Sequence, residues 1–186
     1  MKEELQKWGN EIENFHLPRW EDLPDIELYM DQVLTLVEKY LEKGMITSED
    51  NHSCLTKAMV NNYVKTQMIP PPVKKRYNRT HLAFLIAITL LKQVLTIAEI
   101  REGILFQGKV DGIRNAYNLF CKEQENALHL VATYAKGEKV DIFNETSSPH
   151  YLAVKSATIS FASKLLTQKM ICLEIDYMKE EGKKDE

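Results

Sequence analysis

A chain of 186 residues with 44% apolar and 27% charged side chains is long enough for one compact domain or two small ones. Such a composition supports a real core and excludes a disordered or low-complexity protein. The net charge of −3 hides an uneven division: residues 51–98 hold seven basic residues and no Asp or Glu, whereas residues 1–50 carry −8 and residues 99–186 carry −2.

The first 16 residues place Leu5, Trp8, Ile12 and Phe15 at three- and four-residue spacing, which predicts a short amphipathic helix closed by Pro18. This stretch is charged and lacks the apolar run of a signal peptide. A second helix is predicted from Pro24, capped by Asp22 or Leu23. Its apolar stripe is Ile26, Tyr29, Met30, Val33, Leu34, Val37, Tyr40 and Leu41, and Gly44 is its stop. A polar link follows. Thr56 is suited to cap a helix of about ten residues that ends before Pro70-Pro71-Pro72, because a residue preceding proline avoids the helical region.

Asn78 is placed to cap a strongly apolar helix from Arg79 to about Val94. Its longest apolar run, Leu82–Leu91, is broken by Thr89 and closed by Lys92, well short of the roughly 20 residues that cross a bilayer. Thr96-Ile-Ala-Glu99 is a capping box opening a helix to about Phe106. A further helix is expected over about Asp111–Ala135, ending at Gly137. The next dozen residues read mainly as a loop. Ser148 then caps a last helix from Pro149 to about Lys179, roughly 45 Å long at about 1.5 Å per residue. Almost no strand is expected, so the predicted fold is all-α. The expected division is a head over 1–107 and a helical C-terminal region over 108–186.

The stretch Thr56-Lys-Ala-Met-Val-Asn-Asn-Tyr63-Val-Lys65-Thr-Gln-Met68-Ile69-Pro70-Pro71-Pro72 resembles the second helix and following turn of MerR-type winged helix-turn-helix regulators. Tyr77-Asn78-Arg79-Thr80-His81-Leu82 is similar to the wing exit and capped third helix of that family. Leu91 to Ile100 resembles the pattern that starts its fourth helix. The resemblance covers about 50 residues and implies a helix-turn-helix with a reduced wing, since Pro72–Tyr77 leaves no room for the usual hairpin. Ala58 and Asn61 stand where the family commonly carries arginine. The chain as a whole, including Trp20-Glu-Asp-Leu-Pro24-Asp25-Ile26, also resembles a bacterial family known only as a domain of unknown function.

What the MerR resemblance implies is a DNA-binding transcriptional regulator, and the residues are consistent with it. Lys57, Asn61, Asn62 and Lys65 occupy roughly one face of the predicted helix, opposite Met59, Val60, Tyr63 and Val64. Asn can pair bidentately with an adenine edge, and lysine meets phosphate or guanine. Lys74, Lys75, Arg76 and Arg79 follow on the turn, where phosphate contacts would orient the head. Two further readings of the basic window stay open: a solvated face of an ordinary bundle, and a helical protein-interaction module that has lost DNA binding. Burial of Asn61 or Asn62 would exclude groove reading.

Other chemistry is not expected. The five histidines show no ligand spacing, and no metal-binding pair, Gly-rich phosphate loop or nucleophile elbow is present. Cys121 and His129 lie eight apart, beyond direct co-ligation of one ion, and a core thiol is expected rather than a metal site completed by Cys172. The cluster Glu21, Asp22, Asp25, Glu27 and Asp31 reads as helix capping. Three scattered cysteines fit a reducing cytoplasm. The expectation is a non-enzymatic cytoplasmic protein without cofactor or membrane span, with double-stranded DNA as partner. The wide apolar face of the last helix, including Phe161, Leu166, Leu173, Ile175 and Tyr177, points to core packing plus a homodimer. A small-molecule effector pocket near Tyr151, Phe161 and Met170 is the weaker alternative there.

Overall fold

The computed structural model describes residues 1–41, 54–141 and 148–182. Among them lie six α-helices and no strand, so the fold is all-α. The helices are α1 (Lys2–Glu13), α2 (Met30–Leu41), α3 (Lys57–Lys65), α4 (Arg79–Leu91), α5 (Ile97–Ala135) and α6 (Leu152–Gly182). Two compact units form. One spans His16–Glu123; the other joins Met1–Phe15 to Gln124–Glu186. The expected division near residue 107 differs from this, because α1 groups with the chain from Gln124 onward and residues 108–123 group with the head.

In the His16–Glu123 unit the core is built on α4. Nine of its thirteen residues are buried, and Leu82, Leu85, Ile86, Ile88 and Leu90 are wholly enclosed. Val33, Val37 and Leu41 of α2, Val60 and Tyr63 of α3, Leu23, Leu28, Ile69, Tyr77 and Ile100 supply other buried side chains. A helix apolar on all sides is stable only when enclosed, which is where α4 sits. Its Thr89 hydroxyl donates to the Leu85 carbonyl at 2.7 Å, satisfying the one polar group in the run.

Several boundaries differ from expectation for physical reasons. α2 begins at Met30, not Pro24. Leu28 pairs with Tyr77 as an isolated antiparallel bridge, which demands extended backbone immediately before the helix. Asp22 serves a short 3-10 turn instead, accepting from the Arg19 N–H at 2.9 Å, and Trp20 N–H donates to Asn118 Oδ1 at 2.8 Å. Ile26 and Tyr29, expected in the apolar stripe, are therefore 64% and 52% exposed. Gly44 and the link 42–53 lie outside the described residues.

The capping box forms as read: Thr96 N–H donates to Glu99 Oε2 at 2.8 Å and Glu99 N–H to Thr96 Oγ1 at 3.3 Å. The Thr96 N–H and hydroxyl, which both donate to Glu99 Oε2 at 2.8 Å, hold the Glu99 carboxyl below its ordinary range. The helix that opens there does not stop at Phe106. It runs on as α5, with its break at Gly112, whose φ of 75° and ψ of 157° suit glycine alone.

In the second unit the buried residues are Ile12 and Phe15 near the end of α1, Ala127, Leu128, Ala132 and Ala135 of α5, and Ala157, Phe161, Ala162 and Leu173 of α6. α1 approaches α5 so closely that a Cβ on Gly9 would lie 3.0 Å from the Ala132 carbonyl oxygen. Glu13 accepts from Lys136 Nζ at 2.7 Å, and this bond lowers the carboxyl's pKa. Ser148 makes no side-chain cap bond; a 3-10 turn (Pro149–Tyr151) leads into α6 instead. Only part of the wide apolar face of α6 is buried: Ile175 and Tyr177 are about half exposed.

Candidate nucleic-acid interface

α3 starts where Thr56, in extended backbone, accepts the Met59 N–H on its hydroxyl at 3.2 Å. The helix buries Val60 and Tyr63 and exposes Lys57, Ala58, Asn61, Asn62 and Lys65. At about 100° per residue those five span roughly 140° of the helix circumference. Asn61 and Asn62 are both exposed, as groove reading requires. Met59, expected in the core, is 37% exposed and lies 3.7 Å from Lys92 Nζ. Lys92 also donates to the Cys54 carbonyl at 2.6 Å, and burial pulls its amine below the usual lysine pKa. That cation of the basic window belongs to the fold.

The helix ends on Gln67 in the left-handed region (φ 56°), with Met68 N–H donating to the Tyr63 carbonyl at 2.8 Å. Met68 and Ile69 are buried and fix the exit. The prolines are then pinned to α4 by His81, which is 3% exposed. Its Nε2 lies 3.1 Å from the Pro70 carbonyl oxygen; its Nδ1 lies 3.0 Å from the Asn78 N–H nitrogen and 2.7 Å from Asn78 Oδ1. Burial lowers its pKa against the opposing pull of the Pro70 and Pro71 carbonyls. The neutral ring with a proton on Nε2 serves both backbone groups. Tyr77 packs on it edge to face at 5.2 Å.

Where the MerR resemblance implied a reduced wing, the chain makes a single tight turn. Val73 pairs with Arg76, Arg76 N–H donates to the Val73 carbonyl at 2.8 Å, and the two residues between have φ of 49° (Lys74) and 61° (Lys75). Two successive positive φ values are the pattern of a type I′ turn, for which Asn-Gly is the relaxed choice. Each lysine held there costs roughly 1 kcal/mol or more. Gln67, Lys74 and Lys75 are the only non-glycine residues with positive φ among the described residues, and all three fall in the basic window.

The eight expected site residues thus divide. Asn61, Asn62 and Lys65 share the exposed face of α3, and Lys74 and Lys75 form the exposed turn. Lys57 pairs with Asp31 at 2.6 Å, both largely exposed, a contact of the kind worth only about 0–1 kcal/mol. Arg79 is taken into the fold: its Nε donates to the Leu23 carbonyl at 3.1 Å, Asp25 lies 3.6 Å away, and its guanidinium is 6.0 Å from the Trp20 ring centre. Arg76 stacks on Tyr29 at 4.1 Å. Tyr29 was missed by the sequence reading, and no local pattern points to it, because a pairing distant in sequence places it there.

Among the described residues no group of three or more His, Cys, Asp or Glu is arranged to hold a metal ion. No helix among them is long and apolar enough to cross a membrane. No curated protein and no solved structure matches the chain. A family model described as "Domain of unknown function (DUF1836)" matches residues 18–120, which take in α2, α3, the lysine turn, α4 and the first part of α5. The match extends over more than half of the sequence, and the chain belongs to the DUF1836 family.

Proposed function

We propose that residues 18–120 form a duplex-DNA-binding head of a cytoplasmic transcriptional regulator, of the helix-turn-helix kind that the MerR resemblance implies. The observation that carries this reading is the strained Lys74–Lys75 turn. A chain that holds two lysines in left-handed backbone at an exposed tip has a use for their charge there, since strain persists where the surroundings enforce it and gathers at functional sites. Lys65 and the Asn61–Asn62 pair on α3 add base-edge and phosphate chemistry. Lys57 can exchange its weak Asp31 contact for phosphate. As a homodimer, the protein would offer two heads to half-sites about one helical turn apart.

The ion pairs Lys57–Asp31 and Arg79–Asp25 favour a second reading, in which the basic window meets an acidic protein surface. Selection from a pool of randomised duplexes separates the two. An enriched motif, lost in the Lys74→Ala, Lys75→Ala, Arg76→Ala triple variant, supports DNA reading. No enrichment turns the assignment to the acidic-partner reading.

A further inference from the structure

We propose that Tyr29 and Arg76 together form a preorganised phosphate-binding anchor beside the lysine turn, with Tyr29 as the positioning residue. The inference rests on the DNA-binding reading and adds to it a residue from outside the helix-turn-helix segment.

Three observations carry it. The Arg76 guanidinium lies 4.1 Å from the centre of the Tyr29 ring, a stacking distance. Unlike Lys57 and Arg79, Arg76 has no carboxylate within ion-pair range among the described residues. Tyr29 as a whole is 52% exposed, so its contribution to the core is small and its placement calls for another explanation.

Backbone hydrogen bonds hold the two residues' chain segments on both sides. Leu28 and Tyr77 exchange hydrogen bonds at 2.7 and 2.8 Å, which sets their chain neighbours Tyr29 and Arg76 side by side. Tyr29 N–H donates to Gln32 Oε1 at 2.8 Å, and Arg76 N–H closes the lysine turn on Val73. A guanidinium stacked on a ring keeps its donors around its edge, where a phosphate can take two of them in parallel. Holding the arginine before binding also removes part of the side-chain entropy cost of binding, roughly 0.5–1.5 kcal/mol for a flexible side chain. The chemistry recognised is a backbone phosphate diester of duplex DNA, adjacent to those met by Lys74 and Lys75.

The test uses the full chain and a random-sequence duplex of about 30 base pairs, titrated by fluorescence anisotropy over a series of salt concentrations. Tyr29→Ala is expected to weaken binding roughly two- to five-fold, the conversion of about 0.5–1 kcal/mol of stacking, while Tyr29→Phe binds as the parent does. Arg76→Ala is expected to reduce the log–log salt slope by roughly 0.9, the loss of one phosphate. In the Arg76→Ala background, Tyr29→Ala is expected to have no further effect. Thermal melts show whether each variant is folded, and retention of the parent's melting temperature confirms that the loss lies in binding.

Parent-like affinity in Tyr29→Ala, equal losses in both backgrounds, or a loss in Tyr29→Phe matching that in Tyr29→Ala overturns the anchor and leaves DNA binding standing. No duplex binding by the parent at low salt overturns both.

Discussion

Leu28 and Tyr77 exchange both of their backbone hydrogen bonds, at 2.7 and 2.8 Å, and each residue is 4% exposed. This two-residue bridge joins the segment before α2 to the base of the lysine turn. It fixes where α2 can begin, seats two apolar side chains in the core around α4, and brings Tyr29 beside Arg76. The position of the basic turn therefore depends on a contact outside the turn itself.

The strain at the turn gives stability and binding opposite responses. Replacing Lys74 by Asn and Lys75 by Gly supplies residues at home in left-handed backbone. The double variant is expected to gain roughly 1–2 kcal/mol in urea unfolding while losing affinity for duplex DNA. Stability and affinity that rise or fall together would show that the lysines are not held there at a cost.

Gly9 is required by close approach. A methyl group there meets the Ala132 carbonyl oxygen at 3.0 Å, and backbone does not move aside cheaply. Gly9→Ala is expected to destabilise by about 1–3 kcal/mol despite alanine's higher helix propensity. Gly103→Ala is the matched control in α5, where a Cβ meets nothing within 4 Å, and should stabilise by roughly 0.5–1 kcal/mol. Chemical denaturation of both variants tests the contrast.

His81 makes stability depend on pH in a stated direction. Its pKa is lowered in the folded protein from an ordinary 6.5, so as pH falls through that value the unfolded chain takes up a proton that the folded chain refuses. Stability contributed by the neutral ring is fully present above about pH 6.5 and is lost progressively as pH falls toward the folded pKa. Between about pH 5 and 6.5, before most carboxylates titrate, the unfolding free energy should decline in the parent and stay flatter in His81→Gln. Parallel curves for the two proteins would remove His81 as the cause.

Gln124 is wholly buried, and neither atom of its amide has a hydrogen-bond partner among the described residues. Desolvating an amide without return is costly, so Gln124→Met is expected to raise stability by roughly 1–3 kcal/mol. A drop in melting temperature would reveal that the amide is satisfied, as by a buried water.

Much of this architecture is legible locally. Thr56, Asn78 and the Thr96–Glu99 box cap the helices they were expected to cap, because a side-chain oxygen two or three residues from an orphan amide needs no distant partner. The exposure of Asn61 and Asn62 also follows from helix periodicity alone. What was not legible depends on contacts between distant segments. The Leu28–Tyr77 bridge delays α2, places Tyr29 on the surface and pairs it with Arg76. Arg79's bond to the Leu23 carbonyl and its pairing with Asp25 were not legible, because nothing near it in sequence announces either partner. The expected end near Phe106 and restart near Asp111 merge into one helix whose single break is at Gly112.

The most direct test of the DNA-binding reading is the dependence of duplex affinity on salt, for the parent chain and the Lys65→Ala, Lys74→Ala, Lys75→Ala variant. If these three side chains each neutralise a phosphate, the parent's log–log slope is steeper than the variant's by about 2.7, at roughly 0.9 per contact. Equal slopes, or no measurable binding by the parent at low salt, would contradict the assignment of α3 and the lysine turn to DNA.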